Sequence, residues 1–243
     1  MIDRTLIEFG SAAGLYSAEV PQWTTTIISR LAHVRALRHQ RDADPNLGAR
    51  VEAVKQFQHA RFERDYVELL ASPRYRAAAM FFLDELYGPE DFSARDTEFE
   101  RVVPLMARLL PHEVVRTIAD LMELHSLTEE LDQRMAAALN SPDVDERSYR
   151  GAWLQVGRRS DRERQLALLL ASGRALDRHT RSSVVLTTLR VMRHPARAAG
   201  LGRLQAFLET GMSAFAGMSG AQGFLRVIEQ NEARTIGDFF SER

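Results

Sequence analysis

Apolar positions recur every three or four residues along almost the whole chain, and that spacing predicts one helix after another. Ile27, Ile28, Leu31, Val34, Ala36 and Leu37 form the stripe of a first helix over Trp23–Arg38, followed by a polar connection, RHQRDAD. Residues Met1–Glu19 are weakly patterned and suit a short helix or a mobile segment. Asp44-Pro45 reads as an N-cap with a first-position proline. A long helix then runs to Ala71, with Leu47, Val51, Val54, Phe57, Phe62, Tyr66, Leu69 and Leu70 facing inward. Ser72-Pro73 repeats the cap-and-proline pattern and opens a helix to Tyr87. Between Ala77 and Leu83 this helix is apolar on nearly all sides, which marks an element enclosed by neighbours. Gly88-Pro89 ends it.

The remainder follows the same period. A helix over Ser93–Leu110 contains Pro104, which predicts a kink or a later start. The next begins at Pro111. Three sequences fit a capping box: Ser126-Leu-Thr-Glu129, Ser160-Asp-Arg-Glu163 and Ser219-Gly-Ala-Gln222. They predict helix starts at Leu127, before Gln165–Leu176, and before Phe224–Phe240. Helices over Glu146–Val156, Ser182–Met192 and Leu201–Thr210 complete the series, the second closed by His194-Pro195. GMSAFAGMSG reads as a flexible hinge between helices. The valine-rich stretch at 184–192 alone has strand propensity, so the fold class is all-α: a bundle of about nine or ten helices with short loops. Asn140–Asp145 is the best internal boundary. It leaves two organisations open, a single helical domain over 1–243 or two packed subdomains, 20–140 and 141–243.

Composition narrows the chemistry. The 243 residues contain no cysteine, which removes disulfides, thiolate nucleophiles and cysteine-ligated metals. The 32 basic and 33 acidic residues nearly cancel, against a dominant nucleic-acid role. Two arginine groups remain as local candidates: Arg30, Arg35, Arg38 and Arg41, then Arg158, Arg159, Arg162 and Arg164. No apolar run is long enough to span a membrane and no secretory signal opens the chain, so a cytoplasmic location is expected. Phosphate loops, the Gly-x-Ser-x-Gly elbow and Glu-x-x-His motifs are all absent. His59/Glu63 and His125/Glu129 are i,i+4 pairs that ordinary surface pairing explains. His59, His112, His125 and His179 are the histidines from which a haem ligand would have to come.

One stretch stands out, YRAAAMFFLDELYGPEDFSARDTEFER at Tyr75–Arg101. Asp84, Asp91, Arg95, Asp96 and Arg101 alternate in sign about its turn and suit a network of arginine–carboxylate bonds that fixes two helices. Tyr87, Phe92 and Arg95 are the candidate rim of a cleft or partner site. FFLDELYG with DFSARD, the Leu110-Pro111 step, LTEELD at 127–132 and the Phe-Leu-x-x-Ile-x-x-Asn-Glu pattern at 224–232 resemble a family of uncharacterised bacterial proteins bearing an FFLxxLYG motif. Phe81, Phe82, Leu83, Leu86, Tyr87, Gly88, Asp91, Arg95 and Asp96 carry that resemblance, which implies no activity. The sequence therefore points to a non-enzymatic helical module for protein interaction or regulation, self-associating through its first and last helices, with no catalytic, metal or cofactor residues assigned. The alternative is a protein that binds an apolar small molecule or haem-like cofactor in a cavity of several hundred Å3.

Overall fold

Asp44 caps α2 (Pro45–Asp65) as its position predicts: Oδ1 accepts from the backbone N–H groups of Asn46 and Leu47, each at 3.1 Å. The computed structural model describes residues 19–86, 88 and 92–241. Among these residues there are eleven α-helices, one π-helical turn and no strand, an all-α multi-helix bundle. The expectation for residues 1–18 lies outside the described residues.

Helix α1 (Glu19–Ala43) precedes the cap, so RHQRDAD is helical rather than a connection. After α2 the chain breaks at Tyr66 into α3 (Val67–Ala71) and then α4 (Arg76–Phe81). Ser72 is the C-cap of α3 and Pro73 lies in the turn that follows, so the pair is not the expected N-cap of α4, which is Tyr75. Residues Phe82–Leu86 continue α4 as the π-helical turn. Helix α5 (Ser93–Leu109) contains Pro104, and α6 (His112–Ala138) follows as the longest element, 27 residues. Then come α7 (Glu146–Val156), α8 (Arg159–His179), α9 (Ser183–Ala198), α10 (Gly202–Gly217) and α11 (Gln222–Ser241).

Several expected boundaries are displaced, each for a packing reason. Ser126 and Glu129 lie in mid-helix, 2% and 3% exposed. Leu124 and Leu131 bury on either side of them, so the backbone ladder continues where a cap was expected. Ser160–Glu163 lies within the first turn of α8, whose cap position is Arg158. The start of α11 is held from outside, since Ala221 N–H donates to Asp177 Oδ1 at 3.1 Å. A capping box does form at Asp145 and Ser148.

Of the expected GMSAFAGMSG hinge, 211–217 is helical and Met218 and Ser219 form a turn, with Ser219 and Gly220 at φ 52° and 115°. Gly211 is buried in α10, and a Cβ there would meet the Phe81 ring at 2.8 Å. That glycine lets α10 close on α4, and packing overrides its low helix propensity. Helix α9 passes through His194-Pro195 on its exposed side and ends at Ala198, with Gly200 just beyond its Ala199 cap at φ 72°.

Helix α6 is the axis. α1, α2, α7 and α8 pack on it, and α11 packs on α8, so helices on both sides of Asn140 interlock. Apolar side chains gather in three clusters. One surrounds Phe81, Phe82, Phe215 and Phe224, a second holds Val54, Met135, Tyr149 and Trp153, and a third holds Ile27, Phe99, Val103 and Ile118. The apolar faces of α1 and α11, expected to support self-association, are buried inside the chain through Ile27, Leu31 and Val34 and through Phe224, Leu225 and Ile228.

Candidate functional site: a polar chamber along helix α6

His125, Thr128, Glu129 and Asp132 sit at i, i+3, i+4 and i+7, which aligns them on one face of α6. That face meets α2 on one side and α5 on the other. Glu129 Oε1 accepts from Lys55 Nζ at 2.5 Å, and Oε2 accepts from Arg41 Nη1 at 2.6 Å. Burial alone would raise the Glu129 carboxyl, but Lys55, His125 and Arg41 outweigh it and hold it well below the usual carboxylate range. Arg41 is itself oriented by Gln133 Oε1 at 2.8 Å.

Asp96 brings α5 into the same seam. Its Oδ2 accepts from Arg38 Nη2 at 2.7 Å and lies 3.0 Å from His125 Nε2. Burial pushes its carboxyl up, yet the His125 hydrogen bond and charge, then Arg38 and Arg95, bring it below the ordinary value. Asp132 has the opposite balance. It is 1% exposed, and Oδ1 accepts from Gln58 Nε2 at 2.8 Å. Burial raises its pKa, and the distant charges of Lys55 and Arg162 offset only part of that.

These groups line a chamber of about 80 Å3 together with the apolar side chains of Phe92, Phe99, Leu121, Leu204 and Phe207. It borders the first and third apolar clusters, sharing Leu124 and Leu169 with one and Phe99 and Leu204 with the other. Outside it lies an open groove of about 540 Å3 between α1, α2 and α5. Lys55, Phe92 and Asp96 line both spaces, so they form the threshold between them. A water requires roughly 10–15 Å3 of such volume, so the chamber has room for several waters or a molecule of a few heavy atoms. A haem-sized or drug-sized ligand, which requires about 300 Å3 or more, does not fit.

Arg95 stands at the threshold. Its guanidinium lies 4.1 Å from the Phe92 ring centre and 4.6 Å from that of Phe207. Nη1 donates to the Glu85 carbonyl at 3.2 Å, which satisfies an acceptor at the end of the π-helical turn, and Nε lies 3.5 Å from Asp96 Oδ1. The structure thus brings together Phe92, Arg95 and Asp96 of the residues singled out in the sequence. Tyr87 and Asp91 lie outside the described residues. Asp84 is exposed with no ion pair among the described residues, and Arg101 instead donates to the Ala199 carbonyl at 3.3 Å.

Sequence reasoning missed Lys55, Gln58, Glu129 and Asp132. It set aside His125 and Glu129 as a surface pair, whereas both are in the buried seam. The signal was present as four polar residues on one face of a helix, but it was hidden by the false cap at Ser126. Of the four histidines considered for haem, His125 alone lines the chamber; His179 pairs with Thr117 and His59 with Glu63. The arginines considered for nucleic acid meet carboxylates or aromatics. Arg35 pairs with Glu100, Arg38 with Asp96, Arg41 with Glu129, Arg159 with Glu163, and Arg162 lies 3.8 Å from the Trp153 ring centre. No group of three or more histidine, aspartate or glutamate residues among the described residues is arranged to hold a metal ion. No described helix is long and apolar enough to cross a membrane.

A second surface is distinct from the chamber. On α9, Val184 and Val191 are 59% and 65% exposed, in line with Thr187 and Thr188. Arg190 and Arg197 flank this stripe and have no ion pair among the described residues.

Residues 37–243 match the model of one protein family, described as a domain of unknown function (DUF8198). No curated protein and no solved structure matches the chain.

Proposed function

Because the chain belongs to that family, we propose its function from geometry: a non-enzymatic regulatory module that binds a small molecule in the α6 chamber. The observation that carries this reading is the set of ionisable side chains around one space, Asp96, Glu129 and Asp132 buried and Lys55 and His125 half-buried. Buried ion pairs seldom stabilise a fold better than apolar residues of the same size, and a void weakens it further. Together they suit a site held ready for a ligand, with the outer groove as its entry. Asp96 and Glu129 each have two cationic partners, which favours binding over proton transfer. The ligand is smaller and more polar than the haem-like or apolar molecule that the sequence offered as the alternative to protein interaction.

Methyl-resolved NMR tests the reading. Small polar compounds should shift the methyl signals of Leu121, Met122 and Leu204. Leu121→Trp, which fills the chamber, should abolish those shifts. A broad panel that leaves all three signals unmoved would remove the proposal.

A second reading, interaction with another protein, is favoured by the exposed valines of α9. Its basic flank suits an acidic amphipathic helix better than a second copy, which would set Arg190 and Arg197 against themselves. Light scattering checks this choice. A monomer at high concentration agrees with it, and a dimer dissolved by Val191→Asp would favour self-association instead.

A further inference from the structure

The charges that line the chamber do not all find partners, and the exception identifies the chemistry the space would accept. Lys55 pairs with Glu129, and Arg95 with Asp96 and Glu85. Three of the four lining carboxylates are therefore in ion pairs. Asp132 is the fourth. It has no ion pair among the described residues, and its one polar contact is the Gln58 amide. Gln58 is itself held by Tyr149 from α7. The same chamber is also lined by Phe92, Phe99, Leu121, Leu204 and Phe207, an apolar and aromatic wall.

We propose that the chamber takes a small primary alkylammonium ion, with its –NH3+ head on Asp132 and its short chain against the Phe99/Phe207 wall. This rests on the small-molecule reading above and specifies its ligand class. A carboxylate-bearing ligand would meet Glu85, Asp96, Glu129 and Asp132 with every lining cation already paired. A neutral ligand would leave Asp132 without a counter-charge. The volume of about 80 Å3 sets the scale at a chain of a few carbons. Alkylammonium ions also gain from the negative faces of aromatic rings.

Binding and the proton on Asp132 are then linked. The groups facing Asp132 are Lys55 and Gln58 from α2, Glu129 on its own helix, Tyr149 from α7 and Arg162 from α8. Burial raises the Asp132 pKa above its ordinary value. An ammonium ion favours the ionised carboxylate, so it binds better as the pH rises and releases a proton from Asp132 as it does so.

Calorimetry and methyl NMR with n-propylammonium chloride test the inference, with 1-propanol, sodium propionate and potassium chloride as comparison probes at matched ionic strength. The expected result is saturable binding of propylammonium alone, tightening as the pH rises. Asp132→Asn should weaken it by about thirtyfold or more, the usual penalty for removing one partner of a buried charge pair. Leu121→Trp should remove the methyl shifts whatever the effect of Asp132→Asn on folding. Equal binding of 1-propanol, unaffected by Asp132→Asn, would overturn the ammonium assignment and leave a small-molecule site standing. Equal shifts with potassium chloride would assign the site to an inorganic cation and likewise overturn it. If none of the probes moves the Leu121, Met122 or Leu204 methyls, both the ligand class and the chamber reading fall.

Discussion

Replacing Glu129 by glutamine keeps the side-chain volume and removes one buried charge. The wild-type carboxylate is 3% exposed and holds Lys55 and Arg41, whose side chains are 15% and 12% exposed. Glutamine can accept from one of them but leaves two cations with no carboxylate in contact, the Asp132 charge acting on Lys55 without an ion pair. Breaking a buried pair in this way costs about 3–5 kcal/mol, and the residual exposure of both cations places Glu129→Gln near the lower end, about 3 kcal/mol. For a chain of this size about 1 kcal/mol moves Tm by roughly 2–4 °C, so a fall of roughly 6–12 °C is expected.

The same substitution has a pH signature with a definite sign. The folded-state pKa of Glu129 is depressed, so its ionised form contributes stability that is fully present above the ordinary value of 4.5 and is lost as pH falls through the folded value. The gap between wild type and Glu129→Gln should therefore be full at neutral pH and narrow only in strong acid. Urea denaturation across pH measures it. The double variant Lys55→Met/Glu129→Leu should recover part of the loss, because it removes one of the two cations left without a carboxylate while Arg41 stays. A neutral-pH change below about 0.5 kcal/mol, the range of ordinary surface substitutions, would refute the account of the seam as buried and ionised.

Asp132→Asn should raise Tm at neutral pH in the absence of ligand. Its folded pKa is raised, so ionisation costs stability above the unfolded value of 3.8; the advantage of asparagine should disappear below that pH in a thermal scan. Gly211→Ala places a Cβ 2.8 Å from Phe81 Cζ and should destabilise by about 1–3 kcal/mol in urea denaturation, the usual range for overpacking. Arg95→Ala removes the stack between Phe92 and Phe207 together with the bond to the Glu85 carbonyl. It should lower stability by about 2–3 kcal/mol and weaken chamber binding, read by melting and by the Leu204 methyl signal.

The helical class was legible because period and proline-based starts are local properties. Asp44-Pro45 needs no tertiary information, and its cap forms as expected. The displaced boundaries are those where a local rule met a packing demand it could not register. Ser126-Leu-Thr-Glu129 satisfies the capping pattern, but Glu129 is required by Lys55 from 74 residues earlier in the chain, and the helix passes through. GMSAFAG has the composition of a hinge, yet Gly211 is where Phe81 demands close approach. The chamber was less legible still. Lys55, Asp96 and Asp132 lie on three helices, and each alone resembles a residue of a solvated face. Only Phe92, Arg95 and Asp96 could be singled out, because they share one conspicuous stretch of sequence.

That stretch also explains why the chamber lies where it does. Phe81, Phe82 and Leu83 are all buried, although three successive residues of a helix with about 3.6 residues per turn sweep roughly 200°. Neighbours must enclose α4 on most of its circumference, and α3 and α10 do so. The π-helical turn that follows is a poorer hydrogen-bonding arrangement, and such turns gather at functional sites. Here the Glu85 carbonyl at its end is answered by Arg95, whose guanidinium then roofs the chamber between Phe92 and Phe207. A π turn, a carboxylate without an ion pair and an internal cavity each depart from what stability alone favours. A sequence under selection only for its fold would scatter or remove such departures. All three border one space, and that coincidence is what supports the proposal that the chamber is a binding site.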